Sequence, residues 1–209
     1  MAKQTFLNLK PEKQKRFKSA VYQLFASRGY EEIGIRDITD AAGIALGGFY
    51  RYFDDKDEMY LDLFAEIETR LVEQDIFSLE EDNYLREIQD VKDAQKILTL
   101  EEMAFGETFY RLPETVLYKY YFQGYAERIY KGYLDFFTRL EKRGSLKEGI
   151  DHPFAFYYFI TSFFNFICFL RRNNMNTNET VFRLKNHFIR ETVMPGLIKP
   201  EELPRIYRA

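Results

Sequence analysis

The chain has 209 residues, 46% hydrophobic and 30% charged, which excludes a disordered or fibrous composition and allows one large domain or two smaller ones. A net charge of −3 and a pI near 5.6 exclude a uniformly basic nucleic-acid binder. The lone Cys168 excludes any disulfide within the chain. The charge is uneven, however. Residues 1–30 hold Lys3, Lys10, Lys13, Lys15, Arg16, Lys18 and Arg28 against Glu12, a net of +6, which leaves −9 for residues 31–209. A basic end on an acidic body fits either a polyanion partner or a solvated face of the first helix. The N-terminus MAKQTFLNLKPEKQKRFK has no apolar leader, and with one cysteine the expected setting is a reducing cytoplasm.

In chain order the pattern is helical almost throughout. Pro11 opens a helix to about Arg28, whose apolar residues Phe17, Ala20, Val21, Leu24 and Phe25 share one face; Gly29 ends it. A second helix is expected over about 36–42, ending at Gly43, and a third over about 46–52. Asp55 caps a fourth, with Glu58 placed as in a capping box and Phe64, Ile67, Leu71 and Val72 carrying it to about Phe77. Residues 78–95 are polar and read as a loop or weak helix. Further helices follow at about 96–111, 114–121, 124–142, 154–172 and 178–194, with Pro113, Gly144, Gly149, Pro153 and Pro195 as breaks. The natural division is into 1–56 and 57–209.

The run ITDAAGIALGGFYRYF, Ile38 to Phe53, places two short helices back to back around Gly43. Two helices joined by a three- or four-residue turn containing Gly form a helix-turn-helix, in which the last helix enters the major groove of DNA. The glycine supplies the left-handed backbone the corner needs. Such corners alone occur in many folds.

More than a corner matches here. Residues 17–59 resemble the N-terminal domain of the tetracycline-repressor (TetR) family of bacterial regulators. The resemblance rests on Ala20, Leu24, Phe25, Gly29-Tyr30, Ile35-Arg36-Asp37-Ile38, Ala41-Ala42-Gly43-Ile44, Gly47, Phe49-Tyr50, Phe53, Lys56 and Glu58. It implies an all-α protein: a three-helix, homeodomain-like DNA-binding unit followed by a helical ligand-binding and dimerisation domain. It also implies a homodimer on a near-palindromic double-stranded operator, with half-sites about one DNA turn apart, and release by a small effector. Carried over by position, Tyr50 and Lys56 meet phosphate; Leu46, Gly47, Gly48 and Arg51 face base edges or the groove wall; and Arg36 lies near the backbone. Phe49 and Phe53 read as core. The chain departs from the family at Ile35 and Ala45, where a capping Ser or Thr is usual; each lost cap costs about 1 kcal/mol. Leu46 stands where Lys or Arg is frequent, which suggests modest affinity, A·T-leaning sites and reliance on the Lys10–Lys18 flank.

The rest of the chain carries no family signature. Residues 153–170, PFAFYYFITSFFNFICFL, approach the minimum length of a membrane span, but Thr161, Ser162, Asn165 and two tyrosines favour a protein helix buried on two sides and no membrane. Its stripes are Phe156, Phe159 or Ile160, Phe163, Phe166 or Ile167 and Leu170 on one side, and Phe154, Tyr158, Thr161, Asn165 and Cys168 on the other. With the helix at 178–194 it is expected to form the homodimer interface. Aromatics crowd residues 105–137. Plain core is one reading; the other is a site for a small hydrophobic or aromatic effector at Phe105, Phe109, Tyr118, Tyr121, Phe122, Tyr125, Ser162, Asn165 and Phe166, with Ser162 and Asn165 as buried polar groups. The two histidines, His152 and His187, are isolated, so no catalytic residue, metal or cofactor is expected. The alternative function is a helical ligand-sensing or structural dimer whose DNA binding is weak or lost.

Overall fold

The computed structural model describes residues 2–73, 96–175 and 178–206; the expected loop or weak helix at 78–95 lies outside them. The described residues are helical, with one isolated antiparallel bridge, Leu146 to Ile198, and no strand. The helices are α1 (Gln4–Leu7), α2 (Pro11–Ser27), α3 (Ile35–Ala42), α4 (Leu46–Tyr52), α5 (Lys56–Glu73), α6 (Leu100–Glu107), α7 (Glu114–Phe122), α8 (Glu127–Lys142), α9 (His152–Arg172), α10 (Asn178–Phe188), α11 (Met194–Leu197) and α12 (Leu203–Ile206). They form two compact units: Met1–Glu68 with Ala94–Tyr125, and Thr69–Asp93 with Ala126–Ala209.

In the first unit α2 starts at Pro11, whose missing N–H is one the helix would leave unpaired anyway. Its stripe Phe17, Val21 and Phe25 is buried. α3 begins at Ile35, one residue before expectation, so Gly34 holds the cap position assigned above to Ile35. Gly34 has no side chain to offer. Instead Asp37 reaches back and accepts its N–H at 2.7 Å. Gly43 ends α3 at φ 65°, a left-handed conformation that costs a side-chain-bearing residue energy. Asp55 caps α5, accepting the Glu58 N–H at 2.7 Å, while Glu58 returns to the N–H of Asp54. α6 packs on α2: Glu101 accepts from Ser19 and Gln23, and Phe105 lies 4.7 Å from Tyr22. Behind it Phe64 stacks on Phe109, 4.0 Å apart and nearly parallel.

In the second unit α8 and α9 pack through Tyr130 on Phe156 (5.4 Å) and Tyr133 and Phe137 on Phe159 (4.8 and 5.7 Å). Phe166 stacks on Phe188 of α10 at 4.4 Å. Between α10 and α11 the backbone widens into a π-turn over Ile189–Val193. Pro195 lies just beyond. It has no N–H and its ring crowds the carbonyl four residues back, so the helix expected as regular to 194 loosens there. The chain after α11 is stitched to the 144–147 turn by Lys147 N–H to Leu197 carbonyl and Lys199 N–H to Ser145 carbonyl, both 3.0 Å.

Candidate nucleic-acid interface

The interface is built on α4, a seven-residue helix with two glycines. Phe49 and Phe53 are fully buried, as expected of core residues. The opposite side faces outward: Leu46 is 43% and Tyr50 48% exposed, and Gly47 and Arg51 are exposed as well. Gly48 is half-buried near Ile44. A Cβ at Gly47 would meet nothing within 4 Å, and one at Gly48 only Ile44 at ordinary contact distance. Neither glycine is therefore required by the chain's own packing. Ala45 sits at the N-cap and accepts no side-chain bond, so the missing hydroxyl is a real loss at that end.

Beside α4 lies the basic end of α2. Three cations of the basic stretch 1–30 are held inside the unit: Lys3 by Asp54 (2.5 Å), Lys18 by Glu66 (2.6 Å) and Arg28 by Asp37 (2.9 Å). Lys10, Lys13, Lys15 and Arg16 are exposed and make no ion pair among the described residues. The flank is thus shorter than Lys10–Lys18. Arg16 stands over the corner itself, since a Cβ at Gly43 would lie 3.4 Å from its guanidinium. Sequence spacing alone could not single it out from its neighbours. Arg36, on α3, is exposed.

Lys56 is placed differently from what the resemblance implies. Its ammonium donates to the carbonyls of Tyr30 and Ile33, each 2.8 Å away, and lies 4.1 Å from the centre of the Tyr30 ring. Burial pulls its pKa below the usual lysine value. In this conformation it fastens the start of α5 to the loop before α3, and it does not point outward. Its neighbour Asp57 accepts from the Tyr30 hydroxyl and from Lys119 of α7 (2.6 Å). Burial alone would raise the Asp57 carboxyl, but those two donors outweigh it and hold it below the ordinary carboxylate range.

The expected effector residues fall in both units. Six belong to the first. Phe105 is fully buried against Tyr22, Phe25 and Tyr60. Phe109 and Tyr121 are buried neighbours, whereas Tyr118 and Phe122, 5.0 Å apart, are exposed. Tyr125 is half-buried, and burial followed by the nearby acids Glu58, Asp55, Asp62 and Asp57 pushes its pKa up to about 12. Among them sits a group the sequence did not single out: the Tyr120 hydroxyl is buried and has no hydrogen-bond partner among the described residues. Only the fold can identify it, because the eight aromatic residues between 105 and 125 look alike in sequence. Ser162, Asn165 and Phe166 belong to the second unit. Asn165, expected buried, is exposed in the single chain and donates to the Thr161 carbonyl at 2.9 Å; Ser162 is half-buried.

Comparison with known proteins gives one family match and several structural likenesses. Residues 19–63 match the family described as bacterial regulatory proteins, tetR family. No curated protein matches. The fatty acid degradation regulator FadR from Bacillus halodurans is 18% identical, with 87% of this chain and 95% of that one covered at a TM-score of 0.55. NalD, the secondary repressor of the MexAB-OprM multidrug efflux pump in Pseudomonas aeruginosa, is 18% identical over 90% and 97% (TM-score 0.48). The ketosteroid regulator KstR2 of Mycobacterium tuberculosis is 20% identical over 92% and 97% (TM-score 0.46). At 18% identity the likeness to FadR is one of fold alone. The family match rests on residues 19–63, so it is the N-terminal helix-turn-helix region of this chain that is similar to the tetR family of bacterial regulatory proteins.

Proposed function

We propose that this protein is a homodimeric transcriptional regulator, acting in the cytoplasm, that places α4 in the major groove of a near-palindromic operator and leaves it when a small apolar effector binds. The observation that carries the reading is the two-sidedness of α4. Phe49 and Phe53 anchor one side, while Leu46, Gly47, Tyr50 and Arg51 face outward on the other; Arg16 stands at the corner, and Lys10, Lys13 and Lys15 are exposed with no ion pair among the described residues. Leu46 suits a thymine methyl and Arg51 a guanine edge. Lys10, Lys13, Lys15, Arg16 and Arg36 suit phosphates.

Dimerisation is supported by α9. Phe154, Tyr157 and Phe169 are 53%, 63% and 54% exposed and, with Tyr158 and Asn165, line one face of the helix. Such a continuous apolar face marks an interaction surface. α9 is also the one described helix long and apolar enough by composition to cross a membrane. The effector reading is supported by the unsatisfied Tyr120 hydroxyl among Phe64, Phe109 and Tyr121, a polar handle in an aromatic setting. The related reading, a sensing dimer with weak DNA binding, is favoured by the uncapped start of α4 and the inward turn of Lys56.

Selection of bound sequences from random duplex DNA separates the two. Enrichment of inverted half-sites about one turn apart supports regulation through DNA, as the half-site geometry requires. No enrichment at low salt, with the dimer intact, supports the sensing dimer instead.

A further inference from the structure

The seven residues of α4 are a poor helix on their own. Two are glycine, the length is below what holds an isolated helix together, and the N-cap is Ala45. A helix leaves its last carbonyls without intrahelical partners. In α4 three consecutive carbonyls at that end are met by one short segment of distant sequence. The Lys3 ammonium donates to the Tyr50 carbonyl at 2.9 Å, the Thr5 hydroxyl to the Arg51 carbonyl, and the Lys3 backbone N–H to the Tyr52 carbonyl at 2.8 Å.

That segment is itself anchored. Phe6 is buried, with its ring 5.3 Å from Phe17, 5.6 Å from Tyr52 and 4.9 Å from Phe53. The Lys3 ammonium also pairs with Asp54, just past the end of α4. On the far side the Gln14 amide donates to the carbonyls of Leu7 and Leu9 at 2.9 and 3.1 Å, tying the segment to α2.

We infer that the N-terminal arm, residues 3–6, is a clamp that closes the C-terminal end of the recognition helix and fixes its pitch. Lys3 and Thr5 are positioning residues for α4, acting through its carbonyls and not through contact with DNA. The inference deepens the DNA-binding reading above, and its structural half stands apart from that reading.

The test is made on the full-length protein with Thr5→Val, which keeps the shape and removes the donor, Thr5→Ser, which restores it, and Lys3→Ala. Amide hydrogen exchange without DNA reads the clamp directly. α4 amides are expected to exchange about fivefold faster in Thr5→Val, the size of one hydrogen bond's net effect, with α2 and α3 amides unchanged and Thr5→Ser like wild type. Unchanged α4 exchange in both Thr5→Val and Lys3→Ala overturns the clamp whether or not any duplex binds. On a selected duplex, the dissociation constant is expected to rise about fivefold while the slope of affinity against salt stays as in wild type, because no phosphate contact is lost. A slope reduced by about one contact in Lys3→Ala would place Lys3 on a phosphate and overturn its positioning role. A wild-type protein that binds no duplex would sink the regulatory reading and leave the exchange result to decide the clamp.

Discussion

α4 and α9 both keep a face turned outward, and they do so on opposite terms. α4 is short and glycine-rich, has no N-terminal cap, and holds its place through Phe49 and Phe53 below and the arm at its end. α9 has 21 residues, is capped by Asp151, and has one apolar stripe packed on α8 while a second stays exposed. On the proposed reading, α4 serves a polar groove with little apolar surface of its own and takes its order from neighbours, whereas α9 would offer its exposed rings to a second protein surface. Exposure by itself is therefore not informative. What the exposed residues are, and what holds the helix, separate a groove reader from an association face.

The largest effect is expected from Phe53→Ala, which empties a fully buried site touching Phe6, Phe17 and Phe49. Unfolding stability in urea should fall by about 3–5 kcal/mol. Next, Phe154→Glu with Phe169→Glu places charges on the exposed face of α9. Sedimentation should show the dimer weakened at least about a hundredfold, roughly 3 kcal/mol, with helicity unchanged because both rings are more than half exposed. Equal dimerisation would remove that face from the interface. Arg51→Ala should cost about 1–3 kcal/mol on a selected operator and flatten preference at one base position. A variant that kept full preference would take Arg51 out of the readout.

Smaller effects sharpen the picture. Lys119→Met leaves Asp57 with Tyr30 and should cost about 1 kcal/mol, since both partners of the pair are partly exposed. Its pH signature follows from sign. The lowered Asp57 value contributes stability that is present above the ordinary carboxylate pKa and lost as pH falls through the lowered one. Lys119, raised first by its bond to Asp57, contributes stability present below the ordinary lysine pKa and lost as pH rises through the raised one. Wild type minus variant should therefore be flat between about pH 4 and 10 and shrink on either side. Last, Gly47→Ala should stabilise the fold by about 0.5–1 kcal/mol, since the new methyl meets nothing and the helix gains propensity. If the same change weakens operator binding, the glycine serves the groove.

Much of this was legible in the sequence. Pro11, Gly43 and the Asp55/Glu58 pair mark helix ends through local chemistry, and local chemistry is what a sequence displays. The two stripes of α9 were legible as period, and one proved inward and the other mostly outward. α1 was not legible: Gln4–Leu7 has no repeating pattern, and its order comes from Phe6 entering a pocket made by residues 17, 52 and 53. The position of Lys56 at a helix start was readable, but the two carbonyls that take its ammonium lie 26 and 23 residues away. Asn165 was expected inside because its neighbours are apolar. Which neighbours face a partner is a property of the association and leaves no mark on one helix's pattern.

If α4 and the exposed cations Lys10, Lys13, Lys15 and Arg16 hold a duplex, titrating the wild-type protein onto a selected operator across a salt series should show an affinity that falls steeply with salt, with a slope of log K on log salt steeper than about −5 for two subunits each bringing several cations to phosphates. No measurable binding to any duplex at low ionic strength, by a protein that is folded and dimeric, would contradict that reading.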